Sequence, residues 1–196
     1  MAKGEATRNR IIEKSAPLFN KYGLAGVSIS DIMAATELQK GGIYRHFDSK
    51  EEIALAAFDY NVGQLTRHVM GGLSAQTPAP EALSIFLRNF VALPSLLDGG
   101  CAVLNTAIEH DDGHPELRAR AQQAIGVWRK TLYEILRRGV REGVFREELN
   151  LEGTVSLYIS ALEGSVMLTR LEGDTAHMQR VIDQLLDHAR QFVFAS

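Results

Sequence analysis

Between Leu117 and Val140 apolar residues return every third or fourth position: Leu117, Ala121, Ala124, Ile125, Trp128, Leu132, Ile135, Leu136 and Val140. An apolar face kept up for over six turns commits this stretch to a long helix lying on a core. Pro115 suits its first turn, and Gly143 suits its end. The same period governs almost every other segment, and no run of alternating β-branched residues suggests a sheet. The chain is therefore expected to be all-α.

The spacing predicts a first helix over residues 5–22, with Ile11, Ile12, Ser15, Leu18, Phe19 and Tyr22 on one face and Gly23 as its stop. Pro17 lies inside it and predicts a kink or a weakened turn. Ser28 is placed to cap a helix from Ile29 to about Thr36, with Asp31 at the third position and Val27 stapled against Ile32. A three-residue break precedes a second short helix over 40–47. The run Ser49, Lys50, Glu51, Glu52 reads as a capping box opening a longer helix to about Leu73. Beyond a loop at 74–80, further helices are expected over 81–97 and 101–110. A loop at 110–115 then leads into the long helix. Two last helices, about 151–171 and 176–194, meet at Glu172, Gly173 and Asp174.

Apolar runs are broken by charge well before the roughly 20 residues of a membrane span, and residues 1–5 lack the apolar core of a signal peptide. The single cysteine, Cys101, excludes an internal disulfide and fits a reducing compartment. A cytoplasmic protein without a membrane segment is expected. The net charge of −3 conceals an asymmetry. Residues 1–50 hold eight Lys/Arg against five Asp/Glu, and the remainder thirteen against nineteen. A basic head on an acidic body suits a chain that meets phosphates at one end only.

Two short helices and a three-residue turn across 28–50 match helix-turn-helix geometry, in which the second helix enters the major groove. Ile29, Ile32, Met33, Leu38, Ile43 and Phe47 would lock the pair onto the first helix. Gln39, Lys40, Tyr44, Arg45, His46 and Lys50 would face outward. Gly41 and Gly42 are poor helix formers, yet they let a backbone come close to bases or phosphates. A pair of solvated helices would have little use for them.

The stretch Lys40, Gly41, Gly42, Ile43, Tyr44, Arg45, His46, Phe47, followed by Ser49, Lys50, Glu51 and Glu52, resembles the TetR (tetracycline-repressor-like) family of transcription regulators. Gly23 and the run Ser28, Ile29, Asp31, Ile32 fit the same pattern. The resemblance implies a three-helix DNA-binding domain over 1–50 and a larger helical effector-binding and dimerisation domain over 51–196. It implies a ligand-responsive repressor of a palindromic operator in double-stranded DNA, and neither catalytic residues nor a cofactor. Ser28 and Ser30 would touch phosphates. Gln39, Lys40, Gly41, Gly42 and Arg45 would meet bases or backbone in the groove, while Tyr44, His46 and Lys50 would hold phosphates. For Arg45 a base and a phosphate remain alternatives, and for Tyr44 a phosphate and the core. Glu37 departs from the pattern by standing where the family has Gly. It predicts either a strained turn or an altered angle between the two helices.

A lone helix-turn-helix reads few base pairs, so a homodimer presenting two heads to two half-sites is expected. Its interface is placed on the last two helices, about 151–194. One mixes Val155, Leu157, Ile159, Leu162, Val166 and Leu168 with small Ser156, Ser160, Ala161, Gly164 and Ser165. The other carries Met178, Val181, Ile182, Leu185, Leu186, Ala189, Phe192 and Val193. By the resemblance, a small-molecule effector binds among the middle helices, with Phe58, Phe86, Phe90, Cys101, Asn105 and Trp128 as candidate contacts. The run Gly100, Cys101 and Asn105 further resembles a TetR subgroup in which such a cysteine senses electrophiles or oxidants; the alternative is an inert buried thiol. His110, Asp111, Asp112, His114 and Glu116 are metal-ligand types in one short loop, but helix capping accounts for them and no metal is expected. Two other readings compete: an all-α enzyme with Cys101 as nucleophile and His110 or His114 as base, and a helical interaction adaptor. Neither explains residues 40–47.

Overall fold

Helix follows helix along residues 3–195, the part of the chain that the computed structural model describes. The order is α1 (Lys3–Gly26), α2 (Ile29–Thr36), α3 (Lys40–Ile43), α4 (Lys50–Val69), α5 (Ala79–Asn89), α6 (Leu93–Leu96), α7 (Ala102–Glu109), α8 (Pro115–Arg141), α9 (Leu151–Glu172) and α10 (Ala176–His188). The described residues contain no strand, and an isolated bridge joins Phe145 to Phe194. The all-α expectation holds. Among the described residues no helix is long and apolar enough to cross a membrane.

Local chemistry sets the boundaries, in four places differently from expectation. The break inside α1 falls at Gly23 (φ 71°, ψ 175°), whereas Pro17 keeps helical angles. The second helix of the motif ends at Ile43 instead of Phe47, and Tyr44 (φ −72°, ψ 0°) begins a turn closed by the His46 amide on the Ile43 carbonyl (3.0 Å). Two glycines in a four-residue helix leave too little propensity to carry it further. α4 stops at Val69 ahead of Gly71 and Gly72, the latter at φ 78°. The single helix expected over 81–97 is two, joined by a 3₁₀ turn at Phe90–Ala92. Pro94 has no amide to give the Phe90 carbonyl, so the chain tightens there.

The chain divides into two compact units, Met1–Leu65 with Leu97–Gln123, and Thr66–Leu96 with Ala124–Ser196. In the first, Ile11, Val27, Ile32, Ile43, Phe47 and Ile53 form a buried core, and Ile29, Met33 and Leu38 pack against it. In the second, Phe86, Phe90 and Trp128 are fully buried, with ring centroids 5.6 and 5.5 Å apart in succession. The Trp128 indole N–H donates to Thr66 Oγ1 at 3.3 Å, satisfying a donor that burial would leave stranded. α9 packs on α10, and Val155, Tyr158, Ile159, Leu162 and Val166 of the first and Met178, Ile182, Leu185 and Leu186 of the second are all buried. The Tyr158 hydroxyl pairs with His188 Nδ1 at 2.9 Å, and burial pushes that phenol well above its ordinary pKa.

Candidate nucleic-acid interface

The head is assembled by caps and by one lysine. Ser28 Oγ accepts the Asp31 amide at 3.2 Å, and the Asp31 carboxylate takes the Ser28 amide (2.8 Å) and hydroxyl (2.6 Å), the expected capping box. Those bonds, the hydroxyl first, hold the Asp31 carboxyl below the usual carboxylate range. The cap is therefore complete above the ordinary Asp pKa and is lost only as pH falls through the lowered one. At the start of α4 Ser49 Oγ accepts the Glu52 amide (3.1 Å), but the Glu52 carboxylate returns to the Asp48 amide (2.7 Å) instead of that of Ser49. Backbone N–H at the helix start, with the Ser49 hydroxyl behind it, keeps the Glu51 carboxyl low as well.

Lys50 heads α4 and reaches back to the carbonyls of Leu24 (2.8 Å) and Val27 (3.0 Å), just beyond the Gly23 break. A charged donor on two carbonyls ties the end of α1 and the approach to α2 to the start of α4. The expectation for Lys50 was a phosphate. The structure gives its ammonium this structural work, and the side chain is half-buried.

Around α3 the candidate DNA-reading residues separate cleanly. Ser28, Ser30, Gln39, Lys40, Gly41, Tyr44 and Arg45 are exposed; Gly42 and His46 are half-buried. Among the described residues nothing pairs with the Arg45 guanidinium or the Gln39 amide. Tyr44 is 39 % exposed, with the Lys40 ammonium 5.9 Å from its ring centre, so it belongs to the surface and not to the core. A Cβ added at Gly41 would meet nothing within 4 Å, and one at Gly42 only the Leu38 Cβ at 3.8 Å. Packing inside the protein therefore requires neither glycine.

Glu37 ends α2 in the left-handed region (φ 57°, ψ 28°), the one non-glycine among the described residues with positive φ. Of the two alternatives for this residue, the strained turn is the one adopted. Its carboxylate pairs with Arg10 of α1 at 3.0 Å, on the surface. The left-handed backbone costs roughly 1–2 kcal/mol, while an exposed pair returns about 0–1 and fades with salt. Glu37→Gly relieves the first and loses the second. Thermal melts are expected to find it near neutral at low salt and more stable by about 0.5–1 kcal/mol at high salt, after glycine's own entropic cost. A variant less stable at both salts would contradict this.

The proposed effector contacts are divided between the two units. Phe86, Phe90 and Trp128 sit together in the second unit; Phe58, Cys101 and Asn105 belong to the first. Phe58 is buried and lines a small cavity of about 30 Å³. Cys101 is 1 % exposed and forms the N-cap of α7. The Asn105 amide is engaged within the chain: Nδ2 donates to the Gly99 carbonyl (2.9 Å) and to the carbonyl (3.1 Å) and Oδ1 (3.2 Å) of Asn20. In the 110–115 loop, His110 Nδ1 accepts the His114 amide (3.4 Å) and His114 Nδ1 the Leu117 amide (3.3 Å), which is capping of the α8 start. Sequence reasoning missed Asn20 and Glu109, whose carboxylate takes the Leu24 amide at 2.9 Å. Their partners lie more than 75 residues away in the chain, and no local pattern announces such pairs.

Comparison with known proteins accords with this geometry. Residues 11–57 match the family model "Bacterial regulatory proteins, tetR family", and residues 80–185 match "Tetracyclin repressor-like, C-terminal domain". A TetR transcriptional regulator from Chloroflexus aurantiacus has a similar structure, with TM-score 0.95, 40 % identity and full coverage of both chains. A TetR-family regulator from Cytophaga hutchinsonii follows at 0.86 and 34 %, covering 100 % of this chain and 99 % of that one. In sequence the chain is 26 % identical over 167 residues to the HTH-type transcriptional repressor DhaR of Mycobacterium sp. (strain GP1), covering 84 % of this chain and 83 % of the repressor.

Proposed function

This chain belongs to the TetR family of DNA-binding transcriptional regulators, and on that premise we propose that it represses from a two-fold operator, gripped by residues 28–50 of each subunit and released when a small molecule binds its body. The enzyme and adaptor readings give way to it, since the family is one of regulators. Residues 1–50 are the reading head, and 51–196 carry the effector site and the dimer contact. The protein works in the cytoplasm, where operator DNA is.

The observation that carries the reading is the pair Gly41 and Gly42. Both weaken an exposed helix, and no contact inside the protein calls for them. A surface that must come within reach of a phosphate backbone supplies the reason. Gln39, Lys40, Tyr44 and Arg45 stand exposed around them as donors for bases and phosphates.

TetR-family regulators act as dimers, and α9 offers the face. Leu157, Ser160, Ala161, Gly164, Met167, Leu168 and Leu171 recur at helical spacing, exposed or half-buried, with Leu171 at 76 %. A Cβ at Gly164 would meet nothing within 4 Å outside its own helix, so a second helix has room to come close there. α10 contributes Phe192 just beyond its end, 56 % exposed. The rest of the α10 stripe, the half-buried Val181 apart, is buried in its own subunit. Within the second unit Phe86, Phe90 and Trp128 supply an apolar wall for the effector.

A duplex selected from random sequence by the purified protein tests the reading. Arg45→Ala is expected to relax preference at one base position of each half-site, costing about 1–3 kcal/mol there. Equal loss on every sequence would make Arg45 a phosphate contact. Failure to select any sequence, with no salt-dependent shift of DNA upstream of its own gene, would overturn the reading.

A further inference from the structure

The run Gly100, Cys101 and Asn105 stands out in the sequence. Hydrogen bonds tie the segment around it to α1 of the head. The Asn20 side chain on α1 donates to the carbonyls of Asp98 (2.7 Å) and Gly100 (3.0 Å). Asn105 on α7 donates back to the Asn20 carbonyl and side chain and to Gly99. The two asparagines thus interlock, each satisfying groups on the other's segment. Gly99 makes the approach possible: it sits at φ 94°, and a Cβ there would lie 2.7 Å from the Asn20 backbone oxygen. One turn further along both helices, Glu109 takes the Leu24 amide, an orphan donor created by the break at Gly23.

What these bonds hold is the end of α1, and that end is also what Lys50 holds from its carbonyl side, at Leu24 and Val27. Val27 is followed by Ser28, the cap of α2. From Asn105 to the start of the helix-turn-helix the path is therefore continuous: Asn20, Leu24, Lys50, Val27. Apolar packing does not close this junction, because a cavity of about 30 Å³ lies between Phe19 and Leu24 of α1, Ala54 and Phe58 of α4, and Ala102 and Thr106 of α7. A space of that size has room for about one water, so the polar contacts set the geometry.

We propose that Asn105 and Glu109, with Asn20 and the Leu24 amide as their respective partners, are positioning residues for DNA binding: they latch α7 to the end of α1 and so fix the start of the helix-turn-helix within its own compact unit. The inference rests on residues 28–50 being the DNA-reading surface. Two helix-turn-helix motifs must match two half-sites at once, so a loosely anchored motif lowers operator affinity. A single head meeting phosphates anywhere does not feel the change.

Hydrogen exchange on the full-length protein tests the latch directly, and binding to the selected duplex tests its consequence. Asn105→Asp keeps the size of the side chain but faces three acceptor oxygens with no donor. It is expected to speed exchange of amides in residues 20–27 about tenfold and to weaken operator binding by about the same factor, in line with the loss of one or two hydrogen bonds. Random-sequence duplex should be bound within about twofold of the parent. At the second contact Glu109→Ala is expected to expose the Leu24 amide, and Glu109→Gln, which retains an acceptor, to protect it again. Exchange that rises only within residues 98–106 would overturn the latch, as would operator and random affinity falling together. A parent protein that selects no duplex would instead sink the DNA-binding assignment, and the exchange result alone would then decide the latch.

Discussion

The double substitution Leu157→Glu/Leu171→Glu is expected to split the dimer and lower operator affinity by about 10²–10⁴-fold, the gain that joining two sites in one molecule brings. Both side chains are already exposed in the single chain, at 48 % and 76 %, so the subunit's own core is untouched. Charge placed on the apolar face of a helix pair is left buried without a partner, which such contacts do not tolerate. Sedimentation reads the oligomeric state, and circular dichroism checks that the helices persist. A folded variant that remains dimeric would move the interface away from α9. A comparable change on α10, such as Ile182→Glu, has a different meaning: Ile182 is fully buried in its own subunit, so that variant is expected to unfold, not to dissociate.

The second large effect is at Lys50. Lys50→Met removes both carbonyl bonds to Leu24 and Val27 while keeping the aliphatic stem. Bonds from a charged donor are worth about 1.5–3 kcal/mol, so a loss of stability on that scale is expected, centred on the head. Its DNA affinity should fall because the head is less ordered, with the salt dependence nearly unchanged. A stability equal to the parent's, together with a salt slope reduced by about one, would return Lys50 to the phosphate contact that its position in the motif suggested.

Lys50 shows where sequence reading stops. Its residue type and place announced a cation at the edge of the head, but a phosphate and a backbone carbonyl ask for the same donor. What was legible was local. The Ser28 cap, the buried row from Ile29 to Phe47 and the long stripe of α8 all follow from helical period and capping chemistry, which act over a few residues. Pro94 was in plain view, yet the helical period on both sides of it outweighed it, and the break it makes went unmarked. Period alone also could not say what covers an apolar face. The stripes of α9 and α10 look equally suited to a partner, but the structure spends almost all of the second inside its own subunit. The interlock of Asn20 with Asn105 is invisible for another reason: its members are 85 residues apart, and nothing around Asn105 in the sequence points to Asn20. The same distance hid the grouping of Leu97–Gln123 with the head's own helices in one compact unit.

Two copies of this chain are expected to present the residues around Gly41 to two half-sites at once. The most direct test is a footprint and binding stoichiometry on the selected duplex. The prediction is two chains on one two-fold site, with protected half-sites centred about one helical turn of DNA, or a multiple of it, apart, and protection lost when Gly41 and Gly42 are both replaced by Leu. One chain per duplex, or a footprint that survives that replacement, would contradict the account.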